Sequence, residues 1–159
     1  MNADSAFEAL KFCQAAFSGI LAGSALYITL IEHPARMAIE DTESLHTQFL
    51  DSFNRAARFM AVGSIFPMGS GIACYILNPS KGLPYLIVAG ALFFNAPYSF
   101  VFLIPNYVTP VKDKYSVVSK KLPEREIRDT INGWALYHKV RTLVDVGSFI
   151  YCIYNVVYG

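Results

Sequence analysis

Charge is scarce in this sequence. Asp, Glu, Lys and Arg supply 16% of its 159 residues, and the 13 basic side chains nearly cancel the 12 acidic ones. A chain so balanced carries no electrostatic footprint for nucleic acid. Histidine is also rare. His33, His46 and His138 are too few and too badly spaced to form a zinc or di-iron set with the acids, so no metal is expected. No Gly-rich phosphate loop, nucleophile elbow or CxxC pair occurs, which excludes the nucleotide, acyl-transfer and dithiol chemistries that those motifs serve. No resident cofactor is expected. Cys13, Cys74 and Cys152 read as free buried thiols rather than a disulfide.

What the chain has instead is apolar surface. Hydrophobic residues make up 54% of it, with 12 Phe and 10 Tyr. A helix needs roughly 20 mostly apolar residues to cross about 30 Å of hydrocarbon. Phe12–Ile31, Phe59–Leu77 and Leu83–Ile104 meet that length. A fourth segment, about Val140–Val157, has Arg141 and Asp145 near its start. The first segment is too long for a signal-peptide core and lacks a small-residue cleavage site before a soluble domain, so it reads as a retained helix. The expected fold is all-α: one integral membrane four-helix bundle, left-handed, spanning residues 1–159.

The connections refine that fold. Between the first two segments, Asp41 or Thr42 can cap a helix that carries Glu43 in its first turn. Leu45, Phe49 and Phe53 repeat every fourth residue, which predicts an amphipathic helix on the cytosolic side running straight into the second span. His46 is expected on its exposed face. Pro67 lies inside that span, where a kink is tolerated if neighbouring helices cover the freed carbonyl. Asn78, Pro79 and Gly82 give a tight turn, making the second and third segments antiparallel neighbours. The third connection is long and basic, with Pro123 suited to open a short surface helix through "EREIRD".

Lys and Arg concentrate in the two long connections, while the opposite side offers only Lys11 and Lys81. The positive-inside rule therefore puts the long connections in the cytosol and both termini outside it, in the endoplasmic reticulum or plasma membrane. Gly19 and Gly23, one turn apart in "GILAG", form a small-residue stripe that permits close helix approach, within the bundle or to another membrane subunit.

Alternating spans bring polar residues to one end. Glu32, His33 and Arg36 end the first segment, Tyr98 and Asn106 flank the end of the third, and Trp134, His138, Arg141 and Asp145 begin the fourth. His138, Arg141 and Asp145 share a helical face, and Glu32 and Arg36 do so if Pro34 leaves the helix intact. Ionisable groups at this depth are costly unless they pair or line a wet cavity. Two readings follow: a ligand pocket, or a salt-bridge layer joining Glu32 or Asp145 to Arg36 or Arg141.

Three blocks, "GSALYITLIEHPARMAIED", "NAPYSFVFLIPN" and "WALYHKVRT", resemble the motifs of the anthrone oxygenase-like membrane proteins, in the same order, from about Gly19 to Val146. The blocks of that family run G-x-A-L-Y-x-x-x-x-E-x-P-A-R, P-Y-T-x(5)-P-x-N and W-x-x-x-H-x-x-R. Tyr27, Glu32, Pro34 and Arg36 fall on the first, Pro97, Tyr98, Pro105 and Asn106 on the second, and Trp134, His138 and Arg141 on the third. Ser99 replaces the usual Thr, and Asn106 follows Pro105 directly. The resemblance implies oxidation of polyketide anthrones without metal or flavin. In that chemistry His138 would act as base, Arg36 and Arg141 would hold the resulting anion, and Trp134 and Tyr27 would stack on a flat ring.

The expected function is a small multi-pass protein that binds a flat or lipid-like ligand from the membrane, with cofactor-free oxygenation as its chemistry. The expected cavity lies between the first, third and fourth helices, with Arg36, Asn106 and Arg141 at the ligand's polar end and Tyr27, Phe93 and Tyr98 along its body. Glu32, His33 and Asp145 complete the ligand-binding set. The alternative is a non-catalytic subunit bracing a larger membrane assembly, for instance one that handles lipids.

Overall fold

The computed structural model describes residues 2–114 and 124–159. Four helices make up the bundle: α1 (Ala3–Met37), α2 (Thr42–Leu77), α3 (Pro79–Lys112) and α4 (Glu124–Tyr158). Each is long and apolar enough to cross a membrane. The chain is a small multi-pass membrane protein with a four-helix bundle fold.

All four helices extend beyond the apolar segments that announce them. Side-chain caps set three of the starts. Asn2 Oδ1 accepts from the Ser5 amide at 2.8 Å, Asp41 Oδ2 from Ser44 at 2.8 Å, and Asn78 Oδ1 from Lys81 at 3.2 Å. Asp41, not Thr42, is therefore the cap of α2. The turn into α3 is a single residue, Asn78, and it forces backbone onto backbone. A Cβ on Gly82 would lie 2.5 Å from the Cys74 carbonyl oxygen, so only glycine permits this approach.

Two prolines reshape helices without ending them. Pro34 has no N–H and its ring crowds the carbonyl four residues back, so the turn before it widens into a π-helical stretch, Ile28–Glu32. The His33 amide there donates to the Ile28 carbonyl. Pro105 sits inside a second π-helical stretch, Ser99–Val108, in α3.

The helices pack in cyclic order, each against the next and α4 back against α1. α1 and α3 therefore stand diagonally across the bundle. At one end, the amide end, Gln14 is fully buried and touches every helix. Its Nε2 donates to the Pro67 carbonyl at 3.0 Å and the Tyr85 carbonyl at 2.8 Å, and its Oε1 lies 3.8 Å from the Cys152 thiol. Buried amides in hydrocarbon need such partners. Cys13, Cys74 and Cys152 are free thiols. The outer faces of the bundle are apolar, with Ile76, Val101 and Leu143 each more than 70% exposed, which suits contact with lipid.

Two local expectations change. "EREIRD" is no separate surface helix but the first turns of α4. Ile127 and Ile131 are buried and continue the inward stripe of Trp134 and His138, so packing holds the helix in one piece. Pro123 lies outside the described residues. His46 is half-buried, with Nε2 3.1 Å from the Val111 carbonyl oxygen, rather than on an exposed face.

Candidate functional site

Opposite the amide end is the arginine end, where the widened turn of α1 delivers Glu32 and Arg36 to the start of α2. Arg36 is 2% exposed and its Nη2 donates to Glu32 Oε1 at 2.6 Å. Its Nε donates to Gln48 Oε1 at 2.5 Å and its Nη2 also reaches Ser52 Oγ at 3.0 Å. The Ser52 hydroxyl donates to Glu32 in turn. The guanidinium carbon lies 5.2 Å from the centre of the Phe49 ring and 5.7 Å from that of Trp134. The charge is compensated by a carboxylate, two polar neighbours and two ring faces. This is a clamp between α1 and α2.

Trp134 carries the cluster onward. Its ring meets Phe49 edge-on and stacks on His138 with centroids 4.9 Å apart. His138 is 2% exposed, with Nδ1 3.3 Å from Thr29 Oγ1 and 3.5 Å from Thr142 Oγ1. The two threonine hydroxyls are 2.8 Å apart. The imidazole thus sits in a hydroxyl pair bridging α1 and α4.

The polar band continues along α4 for two more turns, and it is incompletely served throughout, with Arg36 Nη1 and Trp134 Nε1 also lacking a hydrogen-bond partner among the described residues. Asp145 is 1% exposed, and its Oδ1 accepts from Asn95 Nδ2 of α3 at 2.7 Å. Its Oδ2, Asn95 Oδ1 and Arg141 Nε have no hydrogen-bond partner among the described residues. Among the described residues Arg141 makes one contact of this kind, to the Met60 sulfur at 4.0 Å. Ion pairs between described side chains join Lys11 to Glu8, Arg36 to Glu32 and Arg125 to Asp129, but not Arg141 to Asp145. The expected salt-bridge layer is half present: Glu32 with Arg36 alone.

These unserved groups line a crevice of about 130 Å³. It lies between α2 and α3, with Leu92, Phe93, Phe100 and Leu103 on one wall and Met60, Ser64 and Met68 on the other. Arg141 and Asp145 of α4 close its inner end. The π-helical stretch of α3 supplies Ser99, Phe100, Leu103 and Ile104 to this wall, and such stretches recur at functional sites. A smaller cavity of about 20 Å³ lies beside it, lined by Trp134, His138 and Arg141. The two share Phe53, Ala57, Met60 and Arg141 as walls.

The expected residues therefore divide. Glu32, Arg36, Trp134, His138, Arg141 and Asp145 come together in one continuous band. His33 lies at its edge, with Nε2 3.1 Å from Asn132 Oδ1. Tyr98 lies between α3 and α4, its hydroxyl donating to the Tyr137 carbonyl at 3.1 Å. Tyr27 is 57% exposed on the outer face of α1, and the exposed Asn106 donates to its own helix at the Phe102 carbonyl. Nor does the cavity open between the first, third and fourth helices, because α1 and α3 are diagonal. Of its expected lining, Phe93 and Arg141 remain. Asn95 was missed as a site residue, although a lone amide in "LFFNAPY" is conspicuous in an apolar span. Among the described residues no cluster of His, Cys, Asp and Glu could hold a metal.

Gly19 is used within the chain, since a Cβ there would lie 2.9 Å from the Phe149 ring of α4, whereas Gly23 faces open space. No family model, curated protein or solved structure matches the chain.

Proposed function

We propose that this membrane protein binds an apolar small molecule that enters the α2–α3 crevice from the bilayer and sets its polar end against Arg141, Asp145 and Asn95. One observation carries the reading. A buried carboxylate and a guanidinium line one cavity with no close ion pair between them, although each is costly in hydrocarbon. The apolar walls suit the ligand's body and the few convergent polar groups suit its head. The test uses Trp134, the only tryptophan in the chain. A bromine-labelled lipid-like probe should quench it saturably, because Phe53 lines the crevice and packs edge-on against the indole. Ala96→Phe, which fills the crevice from α3, should abolish that quenching; an unchanged curve would sink the reading.

The resemblance to the anthrone oxygenase-like proteins adds a chemistry to the same site. His138 would take the proton from a flat phenolic substrate, and Arg141, which lines both cavities, would hold the anion while oxygen adds. Arg36 has less support in that role, being committed to Glu32, Gln48 and Ser52. Anthrone turnover by the purified protein, lost in His138→Ala with the fold intact, is the expected outcome. Absence of turnover in the parent protein would rule the chemistry out.

The accessory-subunit alternative is favoured by the open face at Gly23, but mutually paired charges would suit it better than the unpaired ones in the crevice. Stable copurification of another subunit from native membranes, with no probe binding, would decide for it. The same proposal keeps both termini on the non-cytosolic side of the endoplasmic reticulum or plasma membrane. Supporting it, Arg55, Arg58, Arg125 and Lys139 are all exposed at the arginine end. A cysteine introduced at Ser80 should be labelled from outside intact cells or from the lumen, and one at Arg55 should not.

A further inference from the structure

Three buried atoms on residues that line the crevice have no hydrogen-bond partner among the described residues: Asn95 Oδ1, Asp145 Oδ2 and Arg141 Nε. Asn95 is 6% exposed and Asp145 1%, so neither is served by bulk solvent. Two of the three atoms accept hydrogen bonds and one donates. The hydroxyls nearby do not complete the set. Ser64 donates to the Ala61 carbonyl at 2.8 Å and Ser99 to the Asn95 carbonyl at 2.6 Å, each within its own helix. Whatever occupies the crevice has to bring a donor for the acceptors and an acceptor for the arginine.

From this pattern we infer that the ligand is a neutral lipid alcohol, its hydroxyl donating to Asp145 Oδ2 or Asn95 Oδ1 and accepting from Arg141 Nε. The inference rests on the crevice reading above and names its chemical class. A hydroxyl offers one donor and two lone pairs in a single small group. A fatty acid carboxylate offers acceptors alone and would face two more acceptors. An alkylamine offers donors alone and would add a second cation beside Arg141. An alkane satisfies none of the three. Charge selects in the same direction, because Arg141 and Asp145 sum to zero and only a neutral head keeps the hydrocarbon layer balanced. The walls then hold a hydrocarbon body, with Leu92, Phe93, Phe100 and Met68 along it.

The experiment compares four ligands of one chain length, a primary alcohol, a fatty acid, an amine and an alkane, as competitors of a bromine-labelled long-chain alcohol for Trp134 quenching. The full chain is used in lipid nanodiscs. The alcohol should compete about tenfold more tightly than each of the others, the scale of one well-made polar contact against an unmet one. Asp145→Asn should erase most of that advantage while leaving the alkane unchanged. If that variant does not fold, the comparison on the unaltered protein still decides. Equal competition by all four would overturn the hydroxyl inference and leave the crevice reading standing. Tightest binding by the acid or the amine would overturn it in favour of Arg141 or Asp145 as sole determinant. Failure of the labelled alcohol to quench would overturn the inference, and failure of every labelled probe, whatever its head group, would take the crevice reading with it.

Discussion

Asn95 and Asp145 join α3 to α4 through one hydrogen bond, Nδ2 to Oδ1 at 2.7 Å, while Asn95 Oδ1 and Asp145 Oδ2 have no hydrogen-bond partner among the described residues. The contrast with Glu32 is informative. There one carboxylate oxygen is served by Arg36, Ser52 and Gln48 together. The two acids stand in the same band of the bundle, one held at a single oxygen by three side chains and the other by Asn95 among the described residues.

Replacing Asn95 by Leu removes the hydrogen-bond partner of Asp145 among the described residues and leaves both carboxylate oxygens without a hydrogen bond. The expected cost is about 1–3 kcal/mol, the usual penalty for orphaning a buried polar group. Thermal unfolding in mild detergent reads it as a lowered midpoint. An unchanged midpoint would mean that Asp145 finds water in the crevice.

Arg36→Met tests the clamp. The side chain is nearly isosteric in its stem but leaves Glu32 uncompensated, and breaking a buried pair costs about 3–5 kcal/mol. Adding Glu32→Gln should recover part of the loss, because the charge left behind is then removed as well. Additive losses would show that the two residues act independently.

The glycines should differ sharply. A Cβ on Gly71 would collide with the Gln14 side chain and the Tyr85 carbonyl and sit 3.0 Å from the Ala89 methyl, at the point where three helices meet. Gly71→Ala should therefore cost about 1–3 kcal/mol by overpacking, despite the better helix propensity of alanine. Gly23→Ala meets nothing within 4 Å and should leave the isolated protein as stable as before. Equal effects in unfolding assays would contradict this packing.

Asp41 lies between α1 and α2, outside the spans, and the Ser44 hydroxyl and then its amide hold its carboxyl below the ordinary aspartate range. The sign follows from linkage: a lowered folded value stabilises above the unfolded pKa and is lost as pH falls through the folded one. Protection of the amides in the first turn of α2, measured relative to their intrinsic exchange rates, should thus fall in acid, below the ordinary aspartate pKa. Asp41→Ala should show the reduced protection at neutral pH and no such acid dependence.

Composition and run length alone determined that this is a four-span helical membrane protein, because crossing hydrocarbon leaves the backbone few options other than helices of about 20 residues. The spacing of Leu45, Phe49 and Phe53 was an equally local signal, and "NPSKG" marked where the chain reverses, although Pro79–Gly82 are helical and the turn itself is Asn78 alone. Glu32 with Arg36 was legible too, since four residues along a helix is a neighbour relation. Tertiary structure decided the rest. The hydrogen bond of Asp145 to Asn95 was not legible, because Asn95 is 50 residues away in sequence and arrives only through the α3–α4 packing. Where the cavity opens depends on which helices stand diagonally, and no periodicity records that. The same holds for Gln14, whose partners lie on three other helices. Apolar faces in lipid carry little of the pattern that marks inside from outside in water, so the choice of neighbours falls to close packing and to a few buried polar atoms.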